Sequence, residues 1–143
     1  MIRRILIMRI IGLYGHGECG KSETLNALKE LLRETGKSIS FKPHPWCEMQ
    51  GTFEFKGKII CVAPGGDDRK MLQENIRYFK AKRCDVAIST TRCKDDSAEE
   101  LQKYAKEESV EIEWVQKSYE YNLNKETQTQ CNKEIAEVIL EMI

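Results

Sequence analysis

An excess of positive charge is absent: 23 Lys+Arg balance 23 Asp+Glu, for a formal net charge of +0 at pH 7. Broad binding to nucleic acid or to an anionic membrane surface demands a basic excess, so this balance argues against both. Apolar runs of membrane-spanning length, about 20 residues, are missing too. The most apolar stretch, Met1–Tyr14, is interrupted by Arg3, Arg4 and Arg9. It lacks both the continuous apolar segment of about 7 or more residues and the small-residue cleavage site of a signal peptide. Met8 offers an alternative start that still leaves Arg9–Tyr14 as a strand. The expectation is a cytoplasmic protein with no membrane partner. Proline is scarce, at 3 residues, so little of the chain is barred from regular structure. The 6 cysteines form no C-x-x-C pair and no Cys/His cluster of zinc-finger spacing, which reads as free thiols rather than disulfides or a metal site.

What is present is an ordinary globular composition, 41% hydrophobic and 32% charged. At 143 residues the chain suits one domain, residues 1–143, and can bury a core without covalent staples. Strand and helix signals alternate along it. Strands are expected at Ile5–Tyr14, more weakly at Ser38–Lys42, then at Thr52–Phe55, Lys58–Ala63, Asp85–Thr91 and Val110–Val115. Leu25, Leu28, Leu31 and Leu32 at helical spacing predict a helix over Lys21–Thr35, with Gly36 as its left-handed terminator. Lys56-Gly57 reads as a tight hairpin. Further helices are expected from a cap at Asp67 to Lys82, from a capping box at Ser97/Glu100 to Glu108, and over Lys125–Met142 with Ile135, Val138, Ile139 and Met142 inward. Pro43 and Pro45, around His44, predict an irregular stretch over Lys42–Cys47, within a loop reaching Met49. This order implies an α/β three-layer sandwich with a mainly parallel sheet of about five strands. Ligands of such sheets bind beyond the C-terminal strand ends.

One segment carries chemistry. Gly15-His16-Gly17-Glu18-Cys19-Gly20-Lys21-Ser22 fits G-x-x-x-x-G-K-[ST], between an apolar strand and an amphipathic helix. Glycines let backbone N–H groups turn toward phosphate oxygens. The following helix, opening Lys21-Ser22-Glu23, adds its N-terminal dipole and unpaired N–H groups. Here the chain resembles the P-loop nucleoside triphosphatases. The likeness is specific over the strand, loop and first helix, and architectural over about residues 38–143. It implies ATP or GTP with Mg²⁺. Lys21 would reach the β- and γ-phosphates and Ser22 would ligate Mg²⁺.

In that superfamily a second strand ends in an acidic residue linked to the metal. Lys58–Ala63 is the candidate strand, but Val62 stands where the acid is expected, and Asp67 and Asp68 follow Gly65-Gly66. Either Asp67 or Asp68 serves the metal or accepts a proton, Asp67 otherwise being a helix cap, or Ser22 and water suffice. Gly65 and Gly66 would give that loop freedom to follow the γ-phosphate. Thr90-Thr91-Arg92-Cys93-Lys94-Asp95 contains the ingredients of the guanine-reading [NT]-K-x-D motif in another order, which favours ATP over GTP. Arg92, at the same sheet edge, is a candidate for a base or phosphate contact. His44 and Trp46 are candidates for contact with a second small-molecule substrate. Two functions stay open: a Mg²⁺-dependent NTPase or small kinase, and a nucleotide-responsive module that engages a protein partner without significant turnover.

Overall fold

A computed structural model of the chain describes residues 8–15, 21–44, 47–66, 68–92, 96–117 and 124–143, with backbone alone at 38–44, 47–49 and 96. Six strands form one mixed sheet. In chain order the elements are β1 (Arg9–Gly15), α1 (Lys21–Thr35), β2 (Lys37–His44), β3 (Cys47–Phe55) and β4 (Lys58–Ala63). They continue with α2 (Arg69–Lys82), β5 (Val86–Arg92), α3 (Asp96–Glu107), β6 (Ile112–Gln116) and α4 (Lys125–Met142). The strand order is β2-β3-β4-β5-β1-β6. β4, β5, β1 and β6 run parallel, while β2 and β3 extend the sheet antiparallel.

The period of two along the central strands sorts side chains onto two helical layers. Ile11, Leu13, Ile60, Val62, Val86 and Ile88 meet Leu25, Leu28 and Leu32 of α1 and Ala136 and Ile139 of α4. The intervening Ile10, Cys61, Ala63 and Ala87 meet Leu72, Ile76 and Phe79 of α2 and Leu101 and Tyr104 of α3. Helices thus cover both faces. This explains why the parallel strands read as nearly continuous apolar runs rather than as alternating ones.

Several local expectations are corrected. Gly36 does not adopt a left-handed conformation; positive φ among the described glycines occurs at Gly57 and Gly65. Glycine is required at 36 because a Cβ there would lie 2.4 Å from the Glu54 carbonyl oxygen. Pro43 does not break the chain into a loop: β2 runs on to His44, which pairs with Cys47. β2 is an edge strand, where a missing N–H costs no ladder bond. The α2 cap is Asp68 rather than Asp67, its side chain accepting from the Met71 N–H at 2.8 Å. Ser97 lies inside α3 instead of capping it, and its hydroxyl accepts from the Arg92 N–H at 3.1 Å. On α4 Val138 faces outward, 52% exposed, while Asn132 turns inward with Ala136 and Ile139. The expected first strand begins at Arg9, and residues 1–7 lie outside the described residues. The hairpin at Lys56-Gly57 is present, both residues having positive φ as a type I′ turn requires.

Among the described residues no helix is long and apolar enough to cross a membrane. Cys61, Cys84 and Cys131 are free thiols. Cys61 and Cys84 share the core against α2 and α3, where the hydrogen bond with Cys61 and then burial push the Cys84 thiol well above its usual range.

Candidate functional site

β1 is an interior strand, paired in parallel with β5 on one side and β6 on the other. Ile10, Ile11 and Leu13 are fully buried, which fixes the strand and delivers Tyr14-Gly15 to the C-terminal edge of the sheet. The motif's flanks are therefore a central parallel strand and a 15-residue helix beginning at Lys21. His16, Gly17, Glu18, Cys19 and Gly20, five of the expected phosphate-binding positions, lie outside the described residues, as does Asp67.

Lys21 is 3% exposed. Its Nζ donates to the Gly15 carbonyl at 2.9 Å and to the Thr91 carbonyl at 2.8 Å. The ammonium group is thus drawn over the ends of β1 and β5. The first N–H groups of α1 leave the helix at the same edge without intrahelical partners. An ammonium group and a helix N-terminus together favour an anion there.

The remaining candidates divide. Ser22 is partly buried and Glu23 is exposed. Glu23 accepts from Asn132 Nδ2 at 3.2 Å, and so is tied to α4. Arg92 is exposed at the end of β5. Asp68 is exposed and engaged as the α2 cap. Val62 is buried in the core and pairs with Ile88. β4 is not next to β1: β5 lies between them, which sets β4 about 10 Å from β1 at the usual strand spacing. His44 ends β2, beyond β3, β4 and β5 from β1, and Trp46 lies outside the described residues.

Between β4 and α2, Pro64–Gly66 is buried and pinned rather than loose. The Gly66 N–H donates to Thr90 Oγ1 at 2.7 Å. A Cβ on Gly66 would meet the Thr90 carbonyl oxygen at 2.2 Å. Asn75 Nδ2 donates to the Gly65 carbonyl and to Ser89 Oγ, each at 3.4 Å. The freedom expected of this glycine pair is therefore used for close approach.

Three residues escaped the sequence reading. Thr91 is fully buried, and its Oγ1 has no hydrogen-bond partner. Its signal was the run Ser89-Thr90-Thr91 closing an otherwise apolar strand. Ser89 and Thr90 are bonded to the loop after β4 and to α2, which leaves Thr91 as the odd hydroxyl. Lys117, just beyond β6, is 8% exposed. Its backbone N–H donates to the Tyr14 carbonyl at 2.8 Å. Asn132 is 5% exposed and accepts from the Thr24 hydroxyl at 3.0 Å. It was hidden because a helical wheel counts apolar residues alone.

Among the described residues no group of three His, Cys, Asp or Glu side chains is placed to hold a metal. No protein-family model, curated protein or solved structure matches this chain.

Proposed function

We propose that the protein binds a nucleoside triphosphate with Mg²⁺ between β1 and α1, ATP in preference to GTP, and that it hydrolyses or transfers the terminal phosphoryl group. The observation that carries this reading is Lys21, held over the ends of β1 and β5 at the close of a G-x-x-x-x-G-K-[ST] segment. In this reading the Lys21 ammonium exchanges carbonyl oxygens for phosphate oxygens. The Gly15–Gly20 backbone and the first turn of α1 supply N–H donors. Ser22 offers a hydroxyl to Mg²⁺, with Asp67 or Asp68 as the acidic partner. Mg²⁺ when bound neutralises phosphate charge. Catalysis then rests on positioning and charge neutralisation, with no covalent step by the protein.

A second reading, a nucleotide-responsive interaction module, draws support from two residues. Val62 is a core residue where an acid is expected, and Asp68 is engaged as a helix cap.

The test measures binding of ATP and GTP and release of phosphate, for the unmutated protein and Lys21→Ala. A charge-assisted phosphate contact contributes about 1.5–3 kcal/mol, so Lys21→Ala should weaken ATP binding roughly tenfold to a hundredfold. Binding without phosphate release would favour the module. Absence of binding to either nucleotide by the unmutated protein would remove both readings.

A further inference from the structure

β6 closes one edge of the sheet: β1 pairs with it on the inner side, and among the described residues no strand pairs with it on the outer side. The register fixes which groups that edge presents. The Lys117 N–H donates to the Tyr14 carbonyl at 2.8 Å. By the alternation of a strand, Glu113, Val115 and Lys117 therefore turn their backbone groups toward β1. Ile112, Trp114 and Gln116 turn theirs outward. An open edge of this kind is a template for another strand.

The two edges of the sheet differ. β2, at the far edge, carries Pro43, which has no N–H to offer. It is also interrupted by register shifts between Ser38 and Ser40 and between Lys42 and His44. Both devices block edge pairing. β6 contains no proline and no register shift. A carboxylate that would guard it, that of Glu113, is held by the Arg9 guanidinium at 2.9 and 2.7 Å.

Trp114, at the middle of β6, is 39% exposed, yet its indole is fixed in place. It lies flat over Gly12, where a Cβ would stand 2.7 Å from the ring. It also meets Tyr14 edge-on, with ring centroids 5.5 Å apart. A prepositioned, part-exposed tryptophan is the residue type that anchors protein interfaces. Beside it, between α3 and β6, runs a groove lined in part by Ala105, Val110 and Ile112.

We propose that β6 pairs antiparallel with β6 of a second copy of this chain, about a two-fold axis at Trp114, joining two sheets into one. Self-complementarity selects this occupant. In this register Trp114 faces the partner's Trp114 and Ile112 faces the partner's Gln116. Every outward group of both strands is then used, in about six ladder hydrogen bonds. The partner's Trp114 lies diagonally across from Ile112, next to the groove. Exposed Glu111 stands opposite the partner's Lys117, a pair of opposite charge. Moving the axis to Glu113 would set that carboxylate against its own copy. It would also place Gln116 against the partner's Val110, whose N–H already donates to the Ala105 carbonyl. Moving it to Val115 would carry Ile112 past the end of the partner's β6. A contact built on one short strand gives a weak, reversible dimer. It is independent of what the candidate site binds.

The test is sedimentation velocity and amide hydrogen exchange of the whole chain between about 1 μM and about 1 mM, for the unmutated protein and Gln116→Pro. Proline at this position removes an outward N–H and leaves the ladder with β1 intact. The expected result is a reversible species of twice the 16.6 kDa chain mass. As concentration rises, the amides of Ile112, Trp114 and Gln116 should slow in exchange, while those of Glu113 and Val115 stay protected throughout. By symmetry Gln116→Pro removes two bonds, so it should weaken dimerisation about tenfold or more.

A chain that stays monomeric to the highest concentration overturns the proposal. So does a dimer that leaves the three outward amides fast, because its interface is elsewhere. Slow exchange of those amides in the monomer would show that another segment of the same chain covers the edge, and overturns it too. A folded Gln116→Pro that dimerises as tightly as the unmutated protein has the same consequence. Should that variant fail to fold, the exchange of the unmutated protein decides alone.

Discussion

Thr91 illustrates how one atom bears on stability. Its Oγ1 is buried with no partner, while the hydroxyls of Ser89 and Thr90 on the same strand are bonded. An unsatisfied buried hydroxyl costs about 1–3 kcal/mol, and valine has nearly the same shape. Thr91→Val should therefore stabilise the ligand-free protein by about 1 kcal/mol, read as a melting temperature roughly 2–4 °C higher. A fall of similar size would mean that the hydroxyl is satisfied in the native protein. Gly36 and Gly66 show the opposite constraint. At each, an added Cβ would collide with a backbone carbonyl oxygen, of Glu54 and of Thr90 respectively. Neither is explained by a positive φ, so neither collision is legible from turn chemistry.

At the scale of elements, the contact between α1 and α4 is more than apolar. Asn132 accepts from the Thr24 hydroxyl and donates to Glu23, which bonds α4 to the first turn of α1, beside Lys21 and Ser22. Asn132→Ala would leave the buried Thr24 hydroxyl without this acceptor. The expected cost is about 1–3 kcal/mol, measurable by urea unfolding. If α4 holds the start of α1 in place, the same variant weakens ATP binding, a readout that a remote core substitution of equal cost would not share. The bounds of the helices over Lys21–Thr35 and Lys125–Met142 were readable from sequence, because apolar residues recur there at helical spacing. The capping box at Ser97 misled, because an Ser-x-x-Glu pattern does not reveal that the Ser97 hydroxyl has the Arg92 N–H to satisfy instead. Pro43 misled likewise: whether a proline sits in a strand depends on whether that strand is at the edge, and only the sheet order places β2 there.

Over the whole molecule, one sheet carries two cores, one against α1 and α4 and the other against α2 and α3. The two share the backbone of β4, β5 and β1, so neither layer can detach without exposing the other face of the same strands. Ile88, fully buried in the first of them, tests this coupling. Ile88→Ala should cost about 2–5 kcal/mol, a large share of the roughly 5–15 kcal/mol that holds a domain together. The urea transition should stay single, with its midpoint lowered and its slope unchanged. Two separate transitions would show that the layers unfold independently.

By itself the sequence determined the alternation of strands and helices, a buried strand leading into the glycine-rich segment and the candidate role of Lys21. These follow from local periodicity, apolarity and the spacing of glycines, all carried by neighbours along the chain. Tertiary structure alone decided that β5 separates β4 from β1 and that Gly65-Gly66 is pinned on Thr90. It also brought Lys117, from the far end of the chain, beside Gly15 through the β1–β6 register. The physical reason is common to all three. Strand order, close approach and strand register are set by contacts between segments remote in sequence, which local pattern does not encode.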